Sequence, residues 1–292
     1  MSGRRNDAAR VGTRRPDHAG TPRSIHGKQK VSLLHYELLP GPYPDAPVVV
    51  LSAGLGGLAA YWRPQLPALQ HRYRVLAYDQ RGTGRNRQDL PAGYTIADMA
   101  ADIVAMLDHA GIPRCHFVGH ALGGLVGLAL AQAAPDRLQT LVVVNGWAAV
   151  DAHTRRCFET RLALLRDTGA AAYVRAQPLF LYPASWMADN AARLAAEDAA
   201  GLAHFQGAET LQRRIDALRG FDATASLPTI RTPTLLVASH DDMLVAPQQS
   251  RALAAALPNA TLHELPWGGH AVNVTAPAAF DAVLMPFLAT HD

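Results

Sequence analysis

From about residue 47 to residue 147, short continuous apolar runs alternate with longer stretches in which apolar residues return at helical spacing. The runs Val48–Ser52, Arg74–Tyr78, Cys115–Val118 and Thr140–Val144 are apolar nearly throughout rather than at every second position, which predicts strands covered on both faces. Between them Ile96, Met99, Ile103 and Met106 share one helical face, Asp98 and Asp102 face away, and Thr95 with Asp98 makes a capping-box pattern. Strands separated by helices predict an α/β fold with a mostly parallel central sheet flanked by helices. Ahead of them, Val31–Leu39 is a candidate antiparallel edge strand, closed by the Pro- and Gly-rich turn Pro40–Pro44.

After Asn145 the strand signal stops. Thr154–Leu165, Ala170–Gln177, Asn190–Phe205 and Glu209–Leu218 have helical character, and the strand pattern resumes at Thr234–Ala238 and Thr261–Leu265 around a helical segment, Gln248–Leu257. The expected organisation is an α/β core over residues 31–147 and 222–292, interrupted by a helical cap over residues 148–221.

Charge changes how the first thirty residues read. The chain of 292 residues carries +3, yet residues 1–30 alone hold eight basic and two acidic side chains, so the remainder carries 19 basic and 22 acidic ones, a balance of −3. The positive balance sits in a tail expected to be disordered, and the body lacks the basic footprint of a nucleic-acid-binding domain. No apolar run reaches the roughly 20 residues that span a membrane, and no apolar segment follows the N-terminal arginines as a secretory signal would require. Two cysteines, Cys115 and Cys157, are too few for a disulfide framework and suit the reducing cytoplasm. The expected partner is a small molecule, with neither nucleic acid nor membrane; the oligomeric state stays open, a homodimer among the options.

Three strand ends carry candidate chemistry, and open α/β sheets bind ligands at strand ends. Cys115–Gly124, CHFVGHALGG, has the spacing of the nucleophile elbow G-x-S-x-G, but Ala121 stands where the serine would be. Ala238–Val245, ASHDDMLV, places two carboxylates after a strand, and Pro266–His270, PWGGH, puts a histidine on a Gly-rich turn after the last one. The order elbow, acid, histidine is that of the α/β hydrolases, and Leu51–Gly57, LSAGLGG, can offer a backbone N–H at Leu55 to pair with that of Leu122 as an oxyanion hole.

Across residues 31–288 the chain resembles the α/β-hydrolase superfamily, including YDQRGTG at Tyr78–Gly84. More narrowly it resembles the RutD-like family, small hydrolases of the bacterial Rut pathway that takes nitrogen from uracil. The resemblance rests on PYPDAPVVVL (Pro42–Leu51), VGHALG (Val118–Gly123), VNGW (Val144–Trp147), AHTRRCF (Ala152–Phe158), AQPLFLYPASWMA (Ala176–Ala188), AEDAAGLAHFQG (Ala196–Gly207) and GGHAVNVTAP (Gly268–Pro277). It implies a cofactor-free hydrolase of a non-peptide carbon–nitrogen bond, acting on carbamate or on aminoacrylate in pyrimidine catabolism, and it implies alanine in the elbow. A ligand-binding homologue without catalysis is the alternative from another class.

Without a serine hydroxyl, the expected mechanism has His270, oriented by Asp242, activate a water near the methyl of Ala121, with the N–H groups of Leu55 and Leu122 receiving the oxyanion. Asp242 is preferred to Asp241 because in superfamily relatives the acid is generally the second of such a pair; Asp241 remains the runner-up. Arg155, Arg156 and Arg175 are candidates for holding an anion, and Tyr182, Trp186 and His204 for lining the site, against the reading that they face solvent or pack the cap. His120 reads as structural and Cys115 as inert. His240, Asp241 and Asp242 follow one another on an extended segment and point to alternate faces, so no metal site is expected.

Overall fold

A computed structural model describes residues 32–292; the tail expected over residues 1–30 lies outside the described residues. The strands are β1 (Tyr36–Leu39), β2 (Val48–Ser52), β3 (Arg74–Tyr78), β4 (Cys115–His120), β5 (Leu138–Val144), β6 (Thr234–Ser239) and β7 (Ala260–Leu265). Their order across the sheet is β1, β3, β2, β4, β5, β6, β7, with β1 antiparallel to β3 and every other pair parallel. The edge strand is shorter than its apolar run, and the cause is local. His35 donates its N–H to Oδ1 of Asn86 at 2.8 Å and its carbonyl accepts from Nδ2 of Asn86 at 3.0 Å, so a side-chain amide takes the groups a ladder would use.

Consecutive strand residues face opposite sides, and both sides are buried. Val48, Val50, Leu76, Phe117, Leu141 and Val143 join one apolar cluster; Val49, Leu51, Val75, Val118, Val142 and Val144 join the other. The first is covered by α2 (Ile96–His109) and α3 (Leu122–Ala133). Thr95 caps α2 through a reciprocal bond with Asp98. The second is covered by Trp62 of a 3₁₀ turn (Ala59–Gln65), Leu69 of the short helix that follows it (Leu66–Gln70, α1), and Phe280, Leu284 and Leu288.

Between β5 and β6 the chain forms α4 (Ala152–Thr168), α5 (Ala170–Leu181), α6 (Ala184–Asp189), α7 (Ala191–Ala203) and α8 (Ala208–Arg219). The remaining helices are α9 (Gln248–Ala256), α10 (Val272–Thr275) and α11 (Pro277–Ala289), which carries Phe280, Leu284 and Leu288 at four-residue spacing. No helix among the described residues is long and apolar enough to cross a membrane.

Candidate active site

The turn between β4 and α3 is a sharp elbow. Ala121 sits at φ 46°, ψ −112°, a region costly for a residue with a Cβ, and it is held there by its N–H to the Val144 carbonyl at 2.8 Å. The flanking glycines are steric requirements. A Cβ at Gly119 would meet the carbonyl of Gly123, and a Cβ at Gly123 the carbonyl of Ser52. Backbone thus packs directly on backbone, and the side chain of residue 121 is aimed over the carboxyl end of the sheet, where it supplies only a methyl. No hydrogen bond within the described residues uses the N–H of Leu122 or of Leu55. The Leu55 carbonyl, by contrast, is tied down by Arg214 Nη2 at 3.2 Å and Gln206 Nε2 at 3.4 Å.

Asp242 and His270, 28 residues apart, meet at this end of the sheet: Nδ1 of His270 lies 2.7 Å from Oδ2 of Asp242, with the histidine only 2% exposed. The other carboxylate oxygen accepts the N–H groups of Leu244 and Val245, both at 2.8 Å. A carboxylate so bonded can only accept, so Nδ1 of His270 carries the proton and Nε2 presents its lone pair. Asp241, the runner-up, accepts from the Ser239 hydroxyl at 2.6 Å and the Gly269 N–H at 2.8 Å, and so fixes the turn that carries the histidine. That turn needs its glycines: Gly268 is at φ 138° and Gly269 at φ 67°.

Two further residues lock the histidine's backbone. Nδ2 of Asn145 donates to the His270 carbonyl at 2.7 Å while its Oδ1 accepts from the Ser239 N–H at 3.1 Å, so one side chain joins the ends of β5, β6 and the histidine turn. Nε2 of His120 donates to the same carbonyl at 2.8 Å, its ring stacks on Tyr61, and burial, followed by the neighbouring His270, holds its pKa well below the usual imidazole value. His120 is therefore a neutral structural histidine. Asn145 escapes motif reading, and its one signal is its type, since asparagine is among the few residues that accept positive φ, here 50°.

Of the other candidates, the cations and His204 stand apart. Arg155, Arg156 and Arg175 are exposed, as is His204, and none joins Ala121, Asp242 and His270. The reason for Arg155 and Arg156 is helical phase: α4 buries Thr154, Cys157, Phe158 and Arg161, and these two fall on the opposite face. Tyr182 and Trp186 pack on each other at 4.5 Å, with the Tyr182 hydroxyl donating to Glu197 at 2.9 Å. They are half-buried among α5, α6 and α7, and Tyr182 lies between Leu181 and Pro183, which pack against Gly269 and Ala271 of the histidine turn.

Both thiols are free; burial pushes Cys115 up to about 12 and also raises Cys157. His153 lies 3.7 Å from the Cys157 sulfur, but its Nε2 donates to the Met243 carbonyl at 2.8 Å and so has no lone pair for the thiol. Among the described residues no three His, Cys, Asp or Glu side chains gather as metal ligands. A cleft of about 720 Å³ between α4 and α8, lined by Glu159, Leu162, Arg166 and Glu209 among others, includes none of these site residues.

A parallel sheet with an elbow after β4, an acid after β6 and a histidine after β7 defines an α/β hydrolase. A family model described as alpha/beta hydrolase fold matches residues 47–277. A protein of Stutzerimonas stutzeri (strain A1501) named "Putative carbamate hydrolase RutD" is 56% identical over 256 residues, covering 88% of this chain and 97% of that protein. A protein of the same name from Caulobacter sp. (strain K31) is 54% identical over 255 residues, covering 87% and 95%. The chain belongs to the α/β-hydrolase fold family and, within it, to the RutD proteins. Among solved structures, the enol-lactonase from Burkholderia xenovorans LB400 is 30% identical with a TM-score of 0.78, covering 88% of this chain and 96% of that one.

Proposed function

We propose that this hydrolase cleaves the carbon–nitrogen bond of carbamate without a covalent intermediate. The observation that carries this reading is the intact His270–Asp242 pair, 2.7 Å apart, beside an elbow whose residue 121 has no nucleophilic atom. Nε2 of His270 takes a proton from water lying over the Ala121 methyl as its oxygen adds to the carbamate carbon. The negative charge that develops on oxygen falls to the N–H groups of Leu55 and Leu122, the latter at the positive end of the α3 dipole. His270 then returns its proton to nitrogen as the carbon–nitrogen bond breaks. Carbamate plus water gives ammonia plus bicarbonate, the hydrated form of carbon dioxide.

Oxyanion donors and binding without a nucleophile retain about 10³–10⁴-fold over water in triad-deleted proteases, a scale that suits a substrate already unstable in water. Burial of Ala121 to 5% and of His270 to 2% favours a small substrate. The relatives' name supports the choice of carbamate, and the family's place in uracil nitrogen use and the two free thiols support a cytoplasmic role in pyrimidine catabolism.

The test is ammonia release, followed with NMR of the carbon products, from carbamate and from aminoacrylate, by wild type, His270→Ala and Asp242→Asn. Wild type is expected to accelerate carbamate breakdown, with His270→Ala losing about 10²-fold or more and Asp242→Asn a comparable factor. Acceleration of aminoacrylate alone would shift the substrate, and variants equal to wild type on both would reduce the protein to a binder.

A further inference from the structure

Two arginines of the inserted helices are buried without a carboxylate partner: Arg214 on α8, 0% exposed, and Arg161 on α4, 4% exposed. A buried cation without a counter-charge carries a large desolvation cost. For Arg214 both Nη atoms are compensated, although its Nε, like that of Arg161, is buried without a partner. Its guanidinium donates to the carbonyls of Leu55 and Arg81 and to Oε1 of Gln80, all oxygen atoms of the core.

Arg161 differs at Nη1, which in Arg214 bonds the Arg81 carbonyl. Its Nη2 donates to the Tyr173 hydroxyl at 3.1 Å and to Oε1 of Gln177, while Nε is buried without a partner and Nη1 makes no hydrogen bond within the described residues. The Phe158, Tyr173 and Phe180 rings surround the guanidinium, with its carbon 5.2 to 5.6 Å from each centroid. Rings stabilise a cation but leave N–H donors unbonded.

Arg161 is linked to the histidine turn through α5. Phe158 and Tyr173 belong to the apolar cluster that contains Ala121 and Leu122, with Leu55 and Phe180 packed against it. Helix α5, which supplies Tyr173, Gln177 and Phe180, ends on the histidine turn: the Leu181 carbonyl accepts the N–H of Ala271, next to His270, at 3.0 Å. The guanidinium thus lies against α5 at Phe180, one residue before the Leu181 that bonds the histidine turn.

We propose that Arg161 is the anion anchor of this site, taking the carboxylate of a small substrate on the unbonded N–H donors of Nη1, beside the Nη2 already held by Tyr173 and Gln177. The inference rests on the hydrolase reading for what the anchor serves, but the anchor itself is a binding claim. It names the substrate class: small, anionic and carrying a carboxylate, with the body's net charge of −3 offering no general attraction.

The experiment titrates sodium acetate and sodium formate, against sodium chloride at matched ionic strength, into wild type, Arg161→Met, His270→Ala and the double variant Arg155→Ala/Arg156→Ala. Binding is read by calorimetry and by the rise in Tm. Wild type, His270→Ala and the double variant are expected to bind with similar Kd, and Arg161→Met at least about tenfold more weakly. In wild type, the Arg161 Hε–Nε cross-peak, assigned by its absence in Arg161→Lys, is expected to shift along the same titration. This measurement stands even if Arg161→Met does not fold. Equal binding by Arg161→Met, a stationary cross-peak, or no carboxylate binding by wild type would each overturn the anchor. Wild-type ammonia release by His270→Ala, with acetate binding still dependent on Arg161, would overturn the hydrolysis reading and leave the anchor standing.

Discussion

Ala121 keeps the strained geometry of an elbow after losing the atom that the elbow usually displays. The backbone is held at φ 46° by packing of Gly119, Gly123 and Ser52, none of which depends on a hydroxyl. Restoring one is therefore a test of geometry. Ala121→Ser is expected to react stoichiometrically with a fluorophosphonate, read by mass spectrometry, whereas wild type stays unlabelled, because His270 is already oriented as a base. Asn145 tests the second layer. Asn145→Ala removes the side-chain bonds to the Ser239 N–H and the His270 carbonyl and leaves alanine at φ 50°. A loss of about 2–4 kcal/mol, or roughly 5–15 °C in Tm by calorimetry, is expected. The residues proposed as catalytic were legible as types in an order. Asn145 was not, because its role is to join three strand ends that are remote in sequence.

Among the elements, the core strands β2 and β3 coincide with their apolar runs, since continuous burial on both faces demands apolar residues throughout. Strands β4 and β5 each extend two residues past theirs, into positions such as His120 and Leu138 that only the pairing of neighbours decides. Helix α3 lies against the sheet at the closest approach backbone allows. Gly123→Ala is accordingly expected to lower the urea midpoint by an amount equivalent to 3 kcal/mol or more, with the order of magnitude set by overpacking and by the displaced Ser52 strand end. Helix α8 reaches the loop of the proposed oxyanion donor Leu55 through Arg214. Arg214→Met is expected to reduce kcat/KM by about 10-fold or more, mainly in kcat, as the Leu55 peptide loses its fixed orientation. A steady-state comparison with Arg213→Met, whose parent side chain lies at the surface edge of the same helix, separates this from general loosening of α8.

For the molecule as a whole, acid stability follows from buried histidines. Burial lowers His116 to about 4 and holds His120 well below the usual 6.5. Below pH 6.5 the unfolded chain binds protons that these folded imidazoles refuse, so stability falls as pH falls, from about 6.5 down toward 4. The slope is about 1.4 kcal/mol per pH unit for each histidine. Urea midpoints at pH 7.5, 6 and 5 should show this decline, and His116→Gln should remove one proton's share of it. The charge balance makes a second prediction. A chain lacking residues 1–30 should change from +3 to −3 and focus at an acidic isoelectric point, with unchanged ammonia release.

The sequence by itself determined the alternation of strands and helices, the helical insertion as a break in that rhythm, and the elbow, acid and histidine in hydrolase order. These are periodicities and local turn requirements, encoded within a few residues of where they act. Only the tertiary structure decided which carboxylate faces the imidazole. Asp241 and Asp242 are adjacent in sequence, yet one bonds Ser239 and the other His270. It also left Arg155 and Arg156 exposed and buried Arg161 and Arg214. Helical phase against a particular neighbour, with long-range hydrogen bonds, sets which arginine loses its water, and a local reading of charge cannot supply either.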